Sequence, residues 1–183
     1  MKTRQMFAAI PAVVALLAGC TWNDPLTPAL SSVEYPIPQN NGEIVQNLMA
    51  INQNEIDSAK LAVRKADCPK VKHFAEFLID QHKRDLRQVK HFSDRTGIKP
   101  TASVTAANLA VRNTGEMAHL ELLSGKDFDK AYIADTIRDH KATLQIIDRS
   151  IKQSSNARLT KLLKKTRRHV EHHLHRAEEL KKH

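Results

Sequence analysis

The sequence predicts an all-α protein, organised as a four-helix bundle with a short extra connector helix. After residue 41, apolar residues recur over long stretches at three- and four-residue spacing, the period of an amphipathic helix. A hydrophobic share of 41% is enough to form a core, while five glycines and 4% aromatic residues disfavour many short strands. The length of 183 residues suits one domain with additional terminal segments.

The N-terminal segment 1–19 is predicted to be a lipoprotein signal peptide. Lys2 and Arg4 precede an uncharged stretch over 6–18, which is too short to span a bilayer. It ends in Leu17-Ala18-Gly19-Cys20, which resembles the lipobox, the motif in which the cysteine is lipidated and cleavage occurs before it. The alternatives are an ordinary secreted protein and an uncleaved membrane anchor.

Lipidation of Cys20 implies a protein of the cell envelope, attached to a membrane by its lipid. The next residue is Thr21 and not aspartate, which resembles the pattern for sorting to the outer membrane, with the protein facing the periplasm. If Cys20 carries lipid, Cys68 has no partner within the chain, and no disulfide is expected.

Residues 20–41 are predicted to form an extended tether between the lipid and the bundle. Four of the seven prolines of the chain fall in this segment, and proline removes backbone donors and disfavours helix. The bundle domain is therefore expected over 42–183.

Helix boundaries follow from caps and from helix-breaking residues. Asn40 or Asn41 is a candidate N-cap, Pro69 suits the first turn of a helix, and Gly97 suits a position just past a helix end. Ser124 and Asp127 have capping-box spacing. The predicted helices are 42–66, 69–95, a connector at 103–123 interrupted by Gly115, 126–153 and 156–181. Both up-down and crossover topologies are compatible with this connector.

Each of the four main helices places one ionisable residue on its apolar face. These residues are Glu55, His82, His140 and His173. An isolated buried charge costs several kcal/mol unless it is paired or bound to a metal. Four such residues in one core could avoid this cost by interacting with one another or with a shared metal ion. The sequence therefore predicts a metal site made of one carboxylate and three imidazoles, with Zn or Fe as the expected ion.

Two further residues belong to this prediction. Counting from the predicted turn, His173 lies five residues, or roughly 7 Å, from the level of His140, whereas His169 matches it and is a substitute ligand. Asp139 is a candidate to hold a ring N–H of a ligating histidine. In the alternative interpretation, Glu55 and the histidines hydrogen-bond one another or water in a metal-free core.

Three segments of the chain resemble the bacterial family called domain of unknown function 4142. They are Glu55 to Phe77 followed by His82, Leu123 to His140 with the run G-x-x-F-D-x-A-Y, and Leu162 to Leu180. The resemblance implies a ferritin-like bundle in the envelope and no established activity. Its characteristic positions fall on Glu55, His82, Asp139, His140 and His173. The family usually has aspartate where this chain has Gln81, and the inner faces lack the Glu/Glu-x-x-His pattern of true ferritins.

The charge of the chain suggests a second function. The segment 158–183 contains nine Lys/Arg and three Glu, which favours attraction to an anionic surface such as lipopolysaccharide or lipid headgroups. The alternative to metal binding is thus a non-enzymatic structural or surface-binding lipoprotein that uses this basic helix. No nucleic-acid partner is expected, since the chain has an export signal and no recognition motif. Nor does the sequence contain a nucleophile with its base, a phosphate loop or a paired-carboxylate site, so a hydrolase is not expected.

Overall fold

The computed structural model describes residues 35–182, and this part of the chain is all-helical, as predicted. It contains five helices: α1 Asn41–Lys65, α2 Pro69–Thr96, α3 Val104–Leu122, α4 Gly125–Gln153 and α5 Ala157–Lys182. The predicted signal peptide, Cys20 and the first part of the predicted tether lie outside the described residues. No helix in the described part is long and apolar enough to cross a membrane.

The helix ends follow the predicted chemistry in three of four cases. The Asn40 side chain accepts a hydrogen bond from the Glu43 N–H and caps α1. Pro69 lies in the first turn of α2, and Gly97 ends that helix in the left-handed conformation, with φ of 73°. Ser124 is the N-cap of α4, but its side chain makes no capping bond. The capping box predicted there is therefore not formed.

The connector helix α3 is continuous, and the predicted interruption at Gly115 is wrong. Gly115 is exposed and lies within the helix, and no atom comes within 4 Å of the position that its Cβ would take. A glycine inside an exposed helix costs about 1 kcal/mol relative to alanine. This cost weakens a helix of 19 residues without ending it, because the backbone hydrogen-bond ladder does not depend on the side chain.

The helices form two antiparallel hairpins joined by a crossover. Helices α1 and α2 form one hairpin and α4 and α5 the other, while α1 packs on α4 and α2 on α5. The segment before α3 lies beside the start of α1, where Thr101 N donates to Gly42 O. At the far end of α3, Lys65 at the end of α1 pairs with Glu121. Helix α3 thus runs the length of the bundle, and the crossover topology is the one observed.

A close contact between α1 and the segment before α3 fixes the start of the crossover. A Cβ on Gly42 would lie 2.7 Å from Lys99 O, so only glycine allows this approach.

Tyr35 is 3% exposed and lies in an apolar cluster with Ile51 and Ile146. The last residues of the segment predicted as tether are therefore packed on the bundle.

Besides the small cluster around Tyr35, the core has two larger apolar clusters with a polar layer between them. One cluster lies near the α1–α2 turn and includes Phe74, Leu78, Phe128 and Tyr132. The other lies at the opposite end and includes Ile44, Leu48, Ile147, Leu159 and Leu163. Buried polar residues occupy the middle of the bundle, among them Asn52, His82, Thr136, His140 and His173. The predicted ionisable residues belong to this middle layer.

A buried aspartate ties the two hairpins together at one end. The Asp129 carboxylate accepts the backbone N–H of Asp67 at 3.2 Å and that of Cys68 at 2.7 Å. These groups lie in the α1–α2 turn, so a residue of α4 satisfies the donors just before α2.

We expect Asp129→Ala to lower the free energy of unfolding by about 1–3 kcal/mol, since it leaves the buried N–H of Cys68 and the partly buried N–H of Asp67 without this acceptor. The matched control is Asp127→Ala, an exposed position in the first turn of the same helix. Urea denaturation of both variants measures the difference. Equal losses in the two variants would show that Asp129 does not hold the turn.

Candidate metal centre

Three histidines from three helices converge in the middle of the bundle. His82 comes from α2, His140 from α4 and His173 from α5, and each is at most 2% exposed. One ring nitrogen of each lies within 4.8 Å of those of the other two. The ring centroids are 5.0 to 5.7 Å apart. We call these three residues the histidine triad.

Neighbouring groups set the orientation of two of the rings. His82 Nδ1 lies 3.0 Å from Asn52 Oδ1, and the amide nitrogen of Asn52 donates to Leu48 O at 2.7 Å. The amide oxygen therefore faces the ring, so His82 Nδ1 is the donor. His140 Nδ1 donates in the same way to Thr136 O at 2.9 Å. In both rings the other nitrogen, Nε2, then has a lone pair and no hydrogen.

One ring nitrogen of each triad histidine has no hydrogen-bond partner among the described residues. These nitrogens are His82 Nε2, His140 Nε2 and His173 Nδ1, and all three atoms are buried. Nearly all buried polar side-chain atoms in proteins are hydrogen-bonded. Three exceptions within one layer of one core therefore require an explanation, and a shared ligand is the simplest.

Burial keeps the triad neutral. Desolvation lowers the pKa of His140 to about 4. Desolvation, together with the charges of the neighbouring histidines, lowers the pKa of His173 to about 2 and that of His82 well below its ordinary value. Since a metal ion binds the neutral imidazole, the site holds three donors that need not lose a proton at neutral pH.

Glu55, the predicted fourth ligand, lies on the other side of His140. Its Oε1 is 3.4 Å from His140 Nδ1, the nitrogen that donates to Thr136 O, and it is not among the converging atoms. Burial, followed by the negative charge of Glu116, raises the pKa of Glu55 to about 8. The residue therefore adjoins the triad as a neutral acid and does not complete it.

Beyond Glu55 lies a cavity of about 30 Å³ between α1, α3 and α4. Its lining includes Arg112, Glu116 and Asp139. Glu116 accepts from Arg112 Nε and Arg138 Nη2, both at 2.6 Å. Asp139, which was predicted to hold a ligating imidazole, pairs with Arg112 Nη2 at 2.8 Å instead. This ion-pair network fastens α3 to α4 beside the triad.

His169, the predicted substitute for His173, is bound to another residue. Its Nδ1 lies 3.0 and 2.9 Å from the two carboxylate oxygens of Asp85. Counting residues from the turn favoured His169 over His173 because the count ignored the direction of the side chains. In a helix, side chains lean toward the N-terminus of their own helix. In the antiparallel pair α4 and α5, His140 and His173 therefore lean toward each other, which closes the five-residue offset.

Asn52 and Asp85 are the site residues that the sequence analysis missed. Both are buried polar residues, 1% and 3% exposed. Asp85 lies three positions after His82, so the spacing already placed it on the same side of α2. Asn52 had no such signal, because it borders the apolar face of α1 and asparagine is common on exposed surfaces.

Fold and site together define a class: a crossover helical bundle with a buried polyhistidine site. The chain belongs to the family described as Domain of unknown function (DUF4142), whose model matches residues 28–180. The resemblance noted from the sequence is thereby confirmed. A search of curated proteins found no match.

Two crystal structures share the fold. One is a DUF305 protein from Streptomyces coelicolor, described as a candidate secreted protein, with a TM-score of 0.64 and 12% identity over 75% of this chain and 89% of that one. The other is a DUF305 fragment from Deinococcus radiodurans, with a TM-score of 0.67 and 15% identity over 78% of this chain and 97% of that one. At these identities the similarity is one of fold. It supports the all-helical architecture, while the ferritin-like assignment stays a prediction.

The state of Cys68 differs from the one expected from the sequence. Cys68 is disulfide-bonded in the structure, contrary to the expectation that it has no partner, and the chain contains two cysteines in total. Cys20 lies outside the described residues. Since one sulfur carries either a thioether-linked lipid or a disulfide, lipidation of Cys20 excludes a bond between the two cysteines.

The raised pKa of Glu55 predicts how the metal-free protein responds to pH. The folded state holds a proton on Glu55 up to about pH 8, whereas the unfolded state releases it near the ordinary value of 4.5. The contribution of Glu55 to the free energy of unfolding is thus fully present at low pH. It is lost as the pH rises toward 8, at up to about 1.4 kcal/mol per pH unit.

We expect Glu55→Gln to remove this loss. The measurement is urea denaturation with a chelator between pH 5.5 and 8.5, with Glu76→Gln, an exposed position on α2, as the control. If Glu55→Gln and the wild type lose stability in parallel as the pH rises, Glu55 is already ionised in the folded protein.

Proposed function

We propose that this protein is an envelope lipoprotein that binds one transition-metal ion, Zn²⁺ in the first place, at the histidine triad. The observation that carries the proposal is the convergence of three buried imidazoles, each with one nitrogen that has no partner among residues 35–182. Each buried polar atom left without a hydrogen bond costs about 1–3 kcal/mol. A bound cation would relieve this cost at all three atoms at once.

The alternative of a metal-free polar core is less well supported. It requires the triad and Glu55 to hydrogen-bond one another or water. Among the described residues, His82 and His140 instead donate outward, to Asn52 Oδ1 and Thr136 O, and one buried nitrogen of each triad ring has no partner. Outward N–H groups that fix the ring orientation are typical of histidines that ligate metals.

The donor set favours Zn²⁺ over iron. Three imidazoles with an open fourth position form a known zinc geometry, whereas non-haem iron sites of this size usually contain a carboxylate, and Glu55 lies beside the opposite nitrogen of His140. Nitrogens of a tetrahedral zinc site lie about 3.3 Å apart, given Zn–N distances of about 2.0 Å. The triad nitrogens, now within 4.8 Å, must therefore approach by up to about 1.5 Å.

We expect the mature chain, with Cys20→Ser and Cys68→Ser so that no thiolate competes, to bind one equivalent of Zn²⁺. The double variant His82→Ala/His140→Ala should lose it. His175→Ala on α5, whose side chain is 74% exposed, should retain it. Elemental analysis after dialysis and isothermal titration give the stoichiometry. One equivalent of iron or copper in place of zinc would change the metal and keep the site. Binding of no metal by the parent chain would refute the proposal.

The location in the envelope rests on the N-terminal sequence. We propose that Cys20 carries the lipid and that the following segment connects it to the bundle at Tyr35. The basic helix α5 would then favour an anionic surface near the membrane. Several of its cations pair with carboxylates within the chain: Arg167 pairs with Asp148 and Glu171, and Lys182 pairs with Glu179. The surface charge available to a partner is therefore smaller than the sequence count.

Mass spectrometry of the protein from membranes tests the anchor. We expect the mature chain to begin at Cys20 and to carry a diacylglyceryl group, and Cys20→Ser to release the protein from the membrane fraction. Cys68→Ser serves as the control and should leave attachment unchanged. A mature chain without lipid, in which Cys20 and Cys68 are joined by a disulfide, would be the contrary result.

A further inference from the structure

One turn from the triad, α2 and α5 carry a second pair of metal-binding side chains. Asp85 follows His82 by three residues on α2, and His169 precedes His173 by four on α5. Since three to four residues make one helical turn, the Asp85–His169 pair forms the next layer between the same two helices.

The Asp85–His169 pair has the arrangement of a preorganised metal ligand. Both Asp85 oxygens lie within 3.0 Å of His169 Nδ1, so the carboxylate holds the proton on that nitrogen. The other ring nitrogen, Nε2, then carries the lone pair. A carboxylate that fixes an imidazole in this way both orients the ring and raises its basicity as a metal ligand.

Exposure decreases from this pair toward the triad. The His169 side chain is 30% exposed and that of Asp85 is 4% exposed, whereas His82 and His173 are 2% and 1% exposed. A cation that arrives at His169 from solvent would meet a buried negative charge next and the triad after it. The layer therefore connects the surface with the buried site.

The opposite side of the triad, between the same helices, disfavours a cation. There the Phe77 ring packs edge-on against His173, with the centroids 5.4 Å apart. The Arg176 guanidinium lies over the Phe77 ring, 3.9 Å from its centroid. An apolar ring covered by a positive charge repels an approaching metal ion.

The cavity beyond Glu55 is a less suitable entrance. From that side an ion would meet His140 Nδ1, which donates to Thr136 O and has no lone pair to offer. The carboxylates of Glu116 and Asp139 near this cavity are engaged by Arg112 and Arg138. Of the approaches to the triad, the one past His169 thus combines a free imidazole nitrogen with a carboxylate.

We propose that Asp85 and His169 form an outer cation site through which the metal ion enters and leaves the triad. This inference rests on the proposed function, and it assigns the pair a role in the rate of loading and not in the final coordination. A buried carboxylate on the route raises the local cation concentration and the rate of association.

Stopped-flow absorbance with Co²⁺ tests the proposal, because tetrahedral Co²⁺ absorbs visible light and reports occupancy of the triad directly. We expect His169→Gln and Asp85→Asn in the mature, cysteine-free chain to slow loading by about tenfold or more. Removal of the bound ion by a chelator should slow as well. The final spectrum and the stoichiometry of one ion per chain should not change. Asp85→Asn keeps the shape of the buried side chain, and His175→Ala is the control that loads at the parent rate.

The outcomes separate the two proposals. If the parent chain binds Co²⁺ and both variants load at the parent rate, the outer site is refuted while the triad stands. The outer site is also refuted if either variant changes the final spectrum, because His169 would then belong to the final coordination. Slow loading in Glu55→Gln together with normal loading in His169→Gln would place the entrance at the cavity. A parent chain that gives no tetrahedral Co²⁺ spectrum would refute both proposals.

Discussion

The constraint on which this structure depends is the desolvation of three imidazoles in the middle of a helical bundle. Two of the triad rings are held from outside, His82 by Asn52 and His140 by the Thr136 carbonyl. Each of the three rings has one buried nitrogen without a hydrogen-bond partner among residues 35–182. An all-apolar core would be more stable, since a buried polar group without a partner is costly. Retention of the polar layer is therefore best explained by a ligand that binds there.

The rest of the bundle is arranged so that this costly layer can exist. Apolar clusters lie on both sides of it, one built around Phe74 and Tyr132 and the other around Leu48 and Leu163. Asp129 ties the α1–α2 turn to α4, and the Arg112–Glu116–Arg138 network fastens α3 beside the triad. Because these contacts do not include the triad, the bundle is expected to fold without metal. It thus differs from small zinc domains, in which the metal supplies the folding energy.

Local chemistry made the helices predictable, whereas the site depended on how they pack. Asn40, Pro69 and Gly97 act on their own helix ends, so the sequence alone located those ends within two residues. The three histidines were found because each interrupts an apolar face. The misplacement of Glu55 has a different cause: a helical face is wide, and a rotation of α1 decides whether Glu55 points at the triad or at α3. Likewise, the tilt of the side chains along the helix axis decides that His173, and not His169, belongs to the triad. Neither the rotation of a helix nor this tilt can be derived from residue spacing.

The crossover topology gives the triad a mechanical consequence. His82 belongs to the first hairpin, and His140 and His173 belong to the second, so an ion bound by all three links the hairpins through their shared core. The binding free energy then adds to the association of the hairpins, by RT ln(1 + [L]/Kd) for an ion that binds only the folded chain. Metal should therefore stabilise the docking of the hairpins more than the helices within each one. Since the bundle is expected to fold without metal, an ion would have to reach three histidines that are at most 2% exposed. A buried triad in a bundle that folds alone thus requires an entrance, and the physical chemistry of that entrance sets the rate at which the site fills.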